Sequence, residues 1–129
     1  MAKILVAASP KPREIMERIL DGHDLACADT MAQAERLLRK QSFELIVCTI
    51  VFDESRMFDF LRLVKAKAEW SRIPFVCARV RAHVIRDPIA LEAVEFACRT
   101  MGAAAFLDIA KYESNSERGM RTELEKFIE

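Results

Sequence analysis

The chain has 129 residues, 52% apolar and 31% charged, with 20 lysines and arginines against 20 aspartates and glutamates. That supports one sizeable core but not two, and is too apolar for disorder; a net charge of zero offers no general attraction to nucleic acid or a membrane surface. No apolar run approaches the ~20 residues of a membrane span. The start, MAK running into ILVAA, lacks the charged leader and long apolar stretch of a signal peptide, so one cytoplasmic domain over 1–129 is expected.

Cys27, Cys48, Cys77 and Cys98 stand apart with no C-x-x-C, and the histidines are His23 and His83. That pattern argues against a zinc site and a disulfide framework, and neither metal nor cofactor is expected. Three of the four cysteines lie in apolar runs, as small buried hydrophobes do. Cys77, two residues before Arg79, is the one candidate for a reactive thiol, which needs an electropositive and accessible setting.

In chain order, KILVAA over 3–8 reads as a buried strand stopped by Ser9-Pro10-Lys11-Pro12. Pro12 suits the first turn of a helix whose apolar stripe is Ile15, Met16, Ile19 and Leu20, and Asp21-Gly22-His23 ends it. A second strand covers Leu25–Ala28. Thr30 and Gln33 fit a capping box opening a helix to about Lys40 that buries Ala34, Leu37 and Leu38. Leu45–Val51 is apolar on both faces apart from Thr49, as a central parallel strand is. Ser55 is the expected cap of a third helix with Arg56, Asp59, Arg62, Lys65 and Glu69 on its wet side. Ile73–Val80 is a fourth strand, Asp87-Pro88 opens a fourth helix, Ala103–Ile109 is a fifth strand, and a last helix runs to Glu129 across Gly119.

Five strands alternating with five helices predict an α/β fold, a three-layer sandwich with a parallel sheet and helices on both faces. Right-handed crossovers leave few topologies, and the flavodoxin-like order 2-1-3-4-5 is the common one at this size. Ligands of such sheets bind beyond the strands' carboxyl ends, where Ala8, Ser9, Thr49, Ala78, Arg79 and Ile109 are expected.

The residues in these units resemble a response-regulator receiver domain of the CheY-like family. Receivers typically read KILVVDDE at strand one, where this chain has KILVAASP. GHDLACADTMAQAERLL over Gly22–Leu38 is similar to their second unit. Glu44–Arg62 follows their third unit, D-L-I-L-L-D-I-M-M-P-x-M-D-G-F-E-L-L-R, without a gap, and GAAAFLDIA over Gly102–Ala110 resembles their GA-x-x-Y-L-x-K-P. The likeness covers the whole chain, with several extra residues between Arg79 and Gly102.

Carried over position by position, the resemblance implies a degenerate site. The phospho-accepting aspartate falls on Thr49, the metal-binding acid pair on Ala8 and Ser9, the phosphoryl-contacting lysine on Ile109 and the following proline on Ala110. The switch hydroxyl falls on Ala78 or Arg79; the switch aromatic is matched by Phe106. A threonine hydroxyl is a weak nucleophile without an adjacent base, and magnesium requires carboxylates that Ala8 and Ser9 do not supply. Asp53, Glu54 and Asp108 are nearby acids that either lie in solvated loops or form a relocated metal site.

Two positive features remain. The run Arg79-Val-Arg81-Ala-His83-Val-Ile-Arg86, with Lys11 and Arg13 from the first loop, suggests an anion site built on Arg79, Arg81 and Lys11. Alternatively, these arginines are solvated or pair with Asp53, Asp108 or Glu92. On the fourth helix, Glu92, Glu95 and Arg99 cluster within ~60°, leaving an apolar arc of ~220°. A sheet face takes about half of that arc, so Ala90, Ala93, Ala97 and Met101 should meet either a partner or the long preceding loop. The resemblance points to a partner, because receivers commonly dock others through this face. The expected function is a non-phosphorylatable, non-enzymatic module of two-component or phosphorelay-type bacterial signalling. It would bind one or more proteins, including its own copy as a homodimer, and neither nucleic acid nor membrane. The rival is a sensor of a small anion or nucleotide at the basic pocket.

Overall fold

The computed structural model describes residues 1–111 and 117–128. β1 (Lys3–Ala7) leads to α1 (Pro10–Ile19), β2 (Asp24–Ala28) to α2 (Met31–Lys40), and β3 (Leu45–Thr49) to a short α3 (Phe52–Ser55) and then α4 (Met57–Ala66). β4 (Phe75–Arg79) leads to α5 (Pro88–Thr100). β5 (Ala105–Asp108) runs into a 3-10 turn at Ile109–Lys111, and α6 (Glu117–Glu125) closes the described chain. The strands are parallel in the order β2-β1-β3-β4-β5, the order predicted from the alternation of elements.

Among the described residues, six helices replace the expected five because the segment after β3 folds into an extra turn. Asp53, Glu54 and Ser55 take φ values of 46°, 56° and 65°, three successive left-handed residues without a glycine. Such backbone disfavours a side chain at each position. Ser55 is therefore inside the turn and caps nothing, and α4 starts behind Arg56 with no side-chain cap. The turn is tied down by Asp53, whose Oδ2 accepts from the Met31 N–H at the start of α2 (2.9 Å).

The local capping signals hold elsewhere. Thr30 Oγ1 accepts from Gln33 N–H (3.2 Å), and Asp87 Oδ1 accepts from Ile89 N–H (3.0 Å), with Pro88 in the first turn. The Gln33 side chain reaches one residue further back than a capping box requires, accepting from Asp29 N–H (2.8 Å). The final helix ends at Glu125, short of the expected Glu129, which itself lies outside the described residues.

Alternation divides the core into two layers. Leu5, Ile46, Cys48, Phe75 and Cys77 face α2, α4 and α5, where Phe52, Phe60 and Phe75 stack at centroid distances of 5.4 and 5.6 Å. Ile4, Val6, Leu45, Val47, Val76 and Ala78 face α1 and α6, meeting Met16, Ile19, Met120 and Leu124. β3 is buried along its whole length, as the central strand of a doubly covered sheet must be.

Candidate functional site

The carboxyl ends of β1, β3 and β4 bring the predicted positions together. Thr49 and Ala78 are register partners, and Ala8, Ala78, Val80 and Ile109 belong to one apolar cluster on the α1/α6 side. Thr49 alternates onto the same side as Leu45 and Val47. It is 1% exposed, and its Oγ1 has no hydrogen-bond partner among the described residues. A buried hydroxyl thus stands on the side of the sheet that carries the apolar cluster of Ala8, Ala78, Val80 and Ile109.

This arrangement does not fit the magnesium that the receiver resemblance implies. Ala8 is fully buried, and neither it nor Thr49 offers a carboxylate. Asp53 is engaged with α2, and Asp108 lies on the other side of β5 from Ile109, paired with Arg79. Among the described residues, no three histidines, cysteines, aspartates or glutamates converge as metal ligands.

The expectation that Arg79 opens onto this pocket is corrected by strand alternation. Ala78 and Val80 face the Thr49 side, so Arg79 between them faces the opposite layer. There it is 9% exposed, its Nη1 donating to Asp108 Oδ1 (2.9 Å), Nε to the Val84 carbonyl and Nη2 to the Ala82 carbonyl (2.7 Å each). The guanidinium is thus committed to β5 and to the loop that follows its own strand. Arg81 is half-buried in that loop and Lys11 exposed on α1, leaving the proposed anion site without its central cation. Phe106 is 7% exposed and packs in the layer that faces α2, α4 and α5.

The cysteines isolated in sequence converge in space: Cys48 and Cys77 are register partners, and Cys98 of α5 packs in the same cluster. The Cys98 thiol beside it, and then burial, push the Cys77 thiol far above its ordinary range, so the candidate reactive thiol is held protonated. Burial does the same to Cys48.

The fourth predicted helix, α5, carries the largest exposed apolar side chains among the described residues after the N-terminal methionine. Ile89 is 77% and Phe96 73% exposed. Leu91, Val94, Cys98 and Met101 form its inward face, so Met101 packs against the core and leaves the expected interaction strip. Ala90 and Ala93 are exposed and Ala97 half-buried, and the preceding loop does not cover them. The sequence reading named those alanines and missed Ile89 and Phe96. At 100° per residue Ile89 falls ~40° and Phe96 ~60° from Ala93; periodicity measures the width of the apolar arc but does not say which part the sheet takes.

Compared with models of known protein families, the chain matches none. It is 30% identical over 76 residues to the alginate biosynthesis transcriptional regulatory protein AlgB of Pseudomonas putida, a stretch covering 59% of this chain and 17% of that protein. The fold is shared with solved receivers. A response regulator of Hahella chejuensis superposes with a TM-score of 0.76 at 17% identity, over 98% of this chain and 94% of that one. A chemotaxis response regulator of Vibrio cholerae gives 0.73 at 16%, over 96% and 98%. The receiver domain of a sensor histidine kinase of Pseudomonas aeruginosa, solved with magnesium in its active-site cleft, gives 0.72 at 17%, over 98% and 96%. The architecture is that of CheY-like receiver domains.

Proposed function

We propose that this chain is a single-domain, cytoplasmic receiver-fold module of two-component-type signalling that accepts no phosphoryl group, catalyses no reaction, and acts by binding protein. One observation carries the reading: at the positions where a receiver would hold its acceptor, one metal acid and its lysine, this chain has a buried Thr49 with no hydrogen-bond partner among the described residues, Ala8 and Ile109, the last two in one apolar cluster with Ala78 and Val80. Phosphoryl transfer relies on positioned charge to stabilise the transferring group, and an apolar lining supplies none. Incubation with acetyl phosphate and magnesium should leave the intact mass unchanged. An added phosphoryl group mapped to any acid at the carboxyl ends of the strands overturns the reading.

The exposed strip of Ile89, Ala93 and Phe96 on α5 supports protein contact as the output, with a second copy the simplest occupant. Sedimentation at rising concentration should reveal a reversible dimer in the native chain and only monomer in I89S/F96S. A native chain that stays monomeric throughout removes the homodimer and leaves a different protein as the occupant.

A further inference from the structure

We infer that the open edge of β2 is a second docking surface, which takes an extended acidic segment of a protein partner as an added sixth strand. β2 is an outer strand with β1 as its one neighbour in the sheet among the described residues. Asp24 N–H donates to the Ala2 carbonyl (2.9 Å) and the Ala28 carbonyl accepts from Ala8 N–H (3.0 Å), so both residues turn their backbone groups inward. Alternation places Ala26 with them and leaves the N–H and C=O groups of Leu25 and Cys27 pointing outward, a ready template for pairing. Leu25, Ala26 and Cys27 are all half-buried; the strand holds no proline, and its one charged residue, Asp24, stands at the first position, paired with Lys3 at 3.6 Å, so that residues 25–28 carry no charge to blunt the edge.

A groove of about 510 Å³ runs beside it, lined by Cys27 together with Arg13 of α1 and Arg36 and Lys40 of α2. Arg13 is paired with Asp29 at 3.3 Å. Arg36 and Lys40 are exposed and take part in no ion pair among the described residues. They are four residues apart on one helix face, a rise of about 6 Å. Side chains on one face of a strand recur every ~6.7 Å. Acids at alternate positions of an added strand therefore match the two cations. On the α1 side Arg13 is taken up by Asp29, while Glu17 lies 3.8 Å from the Cys27 Sγ and Glu14 is exposed one turn earlier. The segment is thus acidic on its α2-facing side and neutral or basic on the other.

The same charges disfavour a second copy as the occupant. A closed two-fold pairing of β2 edges runs antiparallel and sets α2 beside α2, bringing Arg36 and Lys40 against their counterparts. Edge pairing by an extended segment, with backbone bonds for affinity and side chains for choice, is a general mode of recognition.

The test uses a synthetic peptide of alternating valine and glutamate, titrated into the chain by calorimetry and by amide hydrogen exchange. Binding is expected, with exchange slowing at Leu25 and Cys27 but not at the already bonded Ala26 and Ala28. The glutamine version of the peptide and the R36E/K40E variant should each weaken binding by at least about tenfold. Cys27→Pro removes one outward N–H without touching a bond to β1 and should abolish binding. A peptide methylated at alternate amides repeats that test on the native chain, should the proline variant fold poorly. No binding at millimolar peptide, or undiminished binding of the methylated peptide, overturns the proposal.

Discussion

Thr49 is a polar group in the wrong surroundings for its chemistry. Its buried hydroxyl lacks a partner, so Thr49→Val should raise stability by about 1 kcal/mol, since an unmade buried hydrogen bond costs more than its removal. Urea denaturation checks this. Thr49→Asp should instead destabilise strongly and still fail to take a phosphoryl group, because a buried carboxylate with no cation beside it resists ionisation. Arg79 and Asp108 present the opposite case, an ion pair with side-chain exposures of 10% and 11%. Asp108→Ala leaves a buried guanidinium without its counter-charge and should cost about 3 kcal/mol or more in the same assay. The gapless third unit made Thr49 legible from the sequence. The Arg79 partner was legible only as one of three acids, Asp53, Asp108 or Glu92, because the choice of Asp108 depends on the Arg79–Asp108 register across two strands 29 residues apart, which no local pattern encodes.

At the scale of elements, the helix starts at Thr30 and Asp87 were readable, since a cap and its N–H lie within three residues of one another. Ser55 was misread for a related reason: a residue of capping type stands before an apolar run, but its backbone is left-handed. Nothing in Asp-Glu-Ser predicts three such residues in a row; the cause is non-local, the Asp53 bond to the start of α2. Asp53→Ala should cost about 1 kcal/mol as a lost helix-end acceptor, and thermal melting should show it. On α5, I89S/F96S should change the stability of the monomer by less than about 0.5 kcal/mol, as exposed substitutions do, while abolishing the proposed dimer. A large loss of stability would mean that the strip serves the fold.

At the scale of the molecule, topology was legible because alternating strands and helices with right-handed crossovers leave one common answer. The docking of α6 was not. Arg18 pairs with Glu117, and Arg121 bonds to Glu125 and to the carbonyls of Ile19 and Asp21. His23 accepts from Ala2 N–H at Nδ1 (3.0 Å), which leaves Nε2 to donate to Glu125 (2.7 Å). The bond from Arg18 holds the Glu117 carboxyl below its usual range, and the bond from His23 does the same for Glu125. Both groups are depressed in the folded state, so their contribution is complete above the ordinary glutamate value of ~4.3 and fades as pH falls through the lower folded-state values. Melting temperature should drop with acidification across that window, and E117Q/E125Q should flatten the drop.

The Arg79 fork also has a kinetic consequence. By binding the carbonyls of Ala82 and Val84 it sets the shape of the segment that delivers the chain into α5. Switching proteins often order such a segment only when a signal or a partner arrives, and the entropy of that ordering is then taken out of the affinity. Here two carbonyls of that segment are already bound by the guanidinium. A partner on the proposed α5 strip would therefore meet a helix whose approach segment is already tied down, its association limited by encounter and orientation, and its residence time set by how well Ile89 and Phe96 are covered.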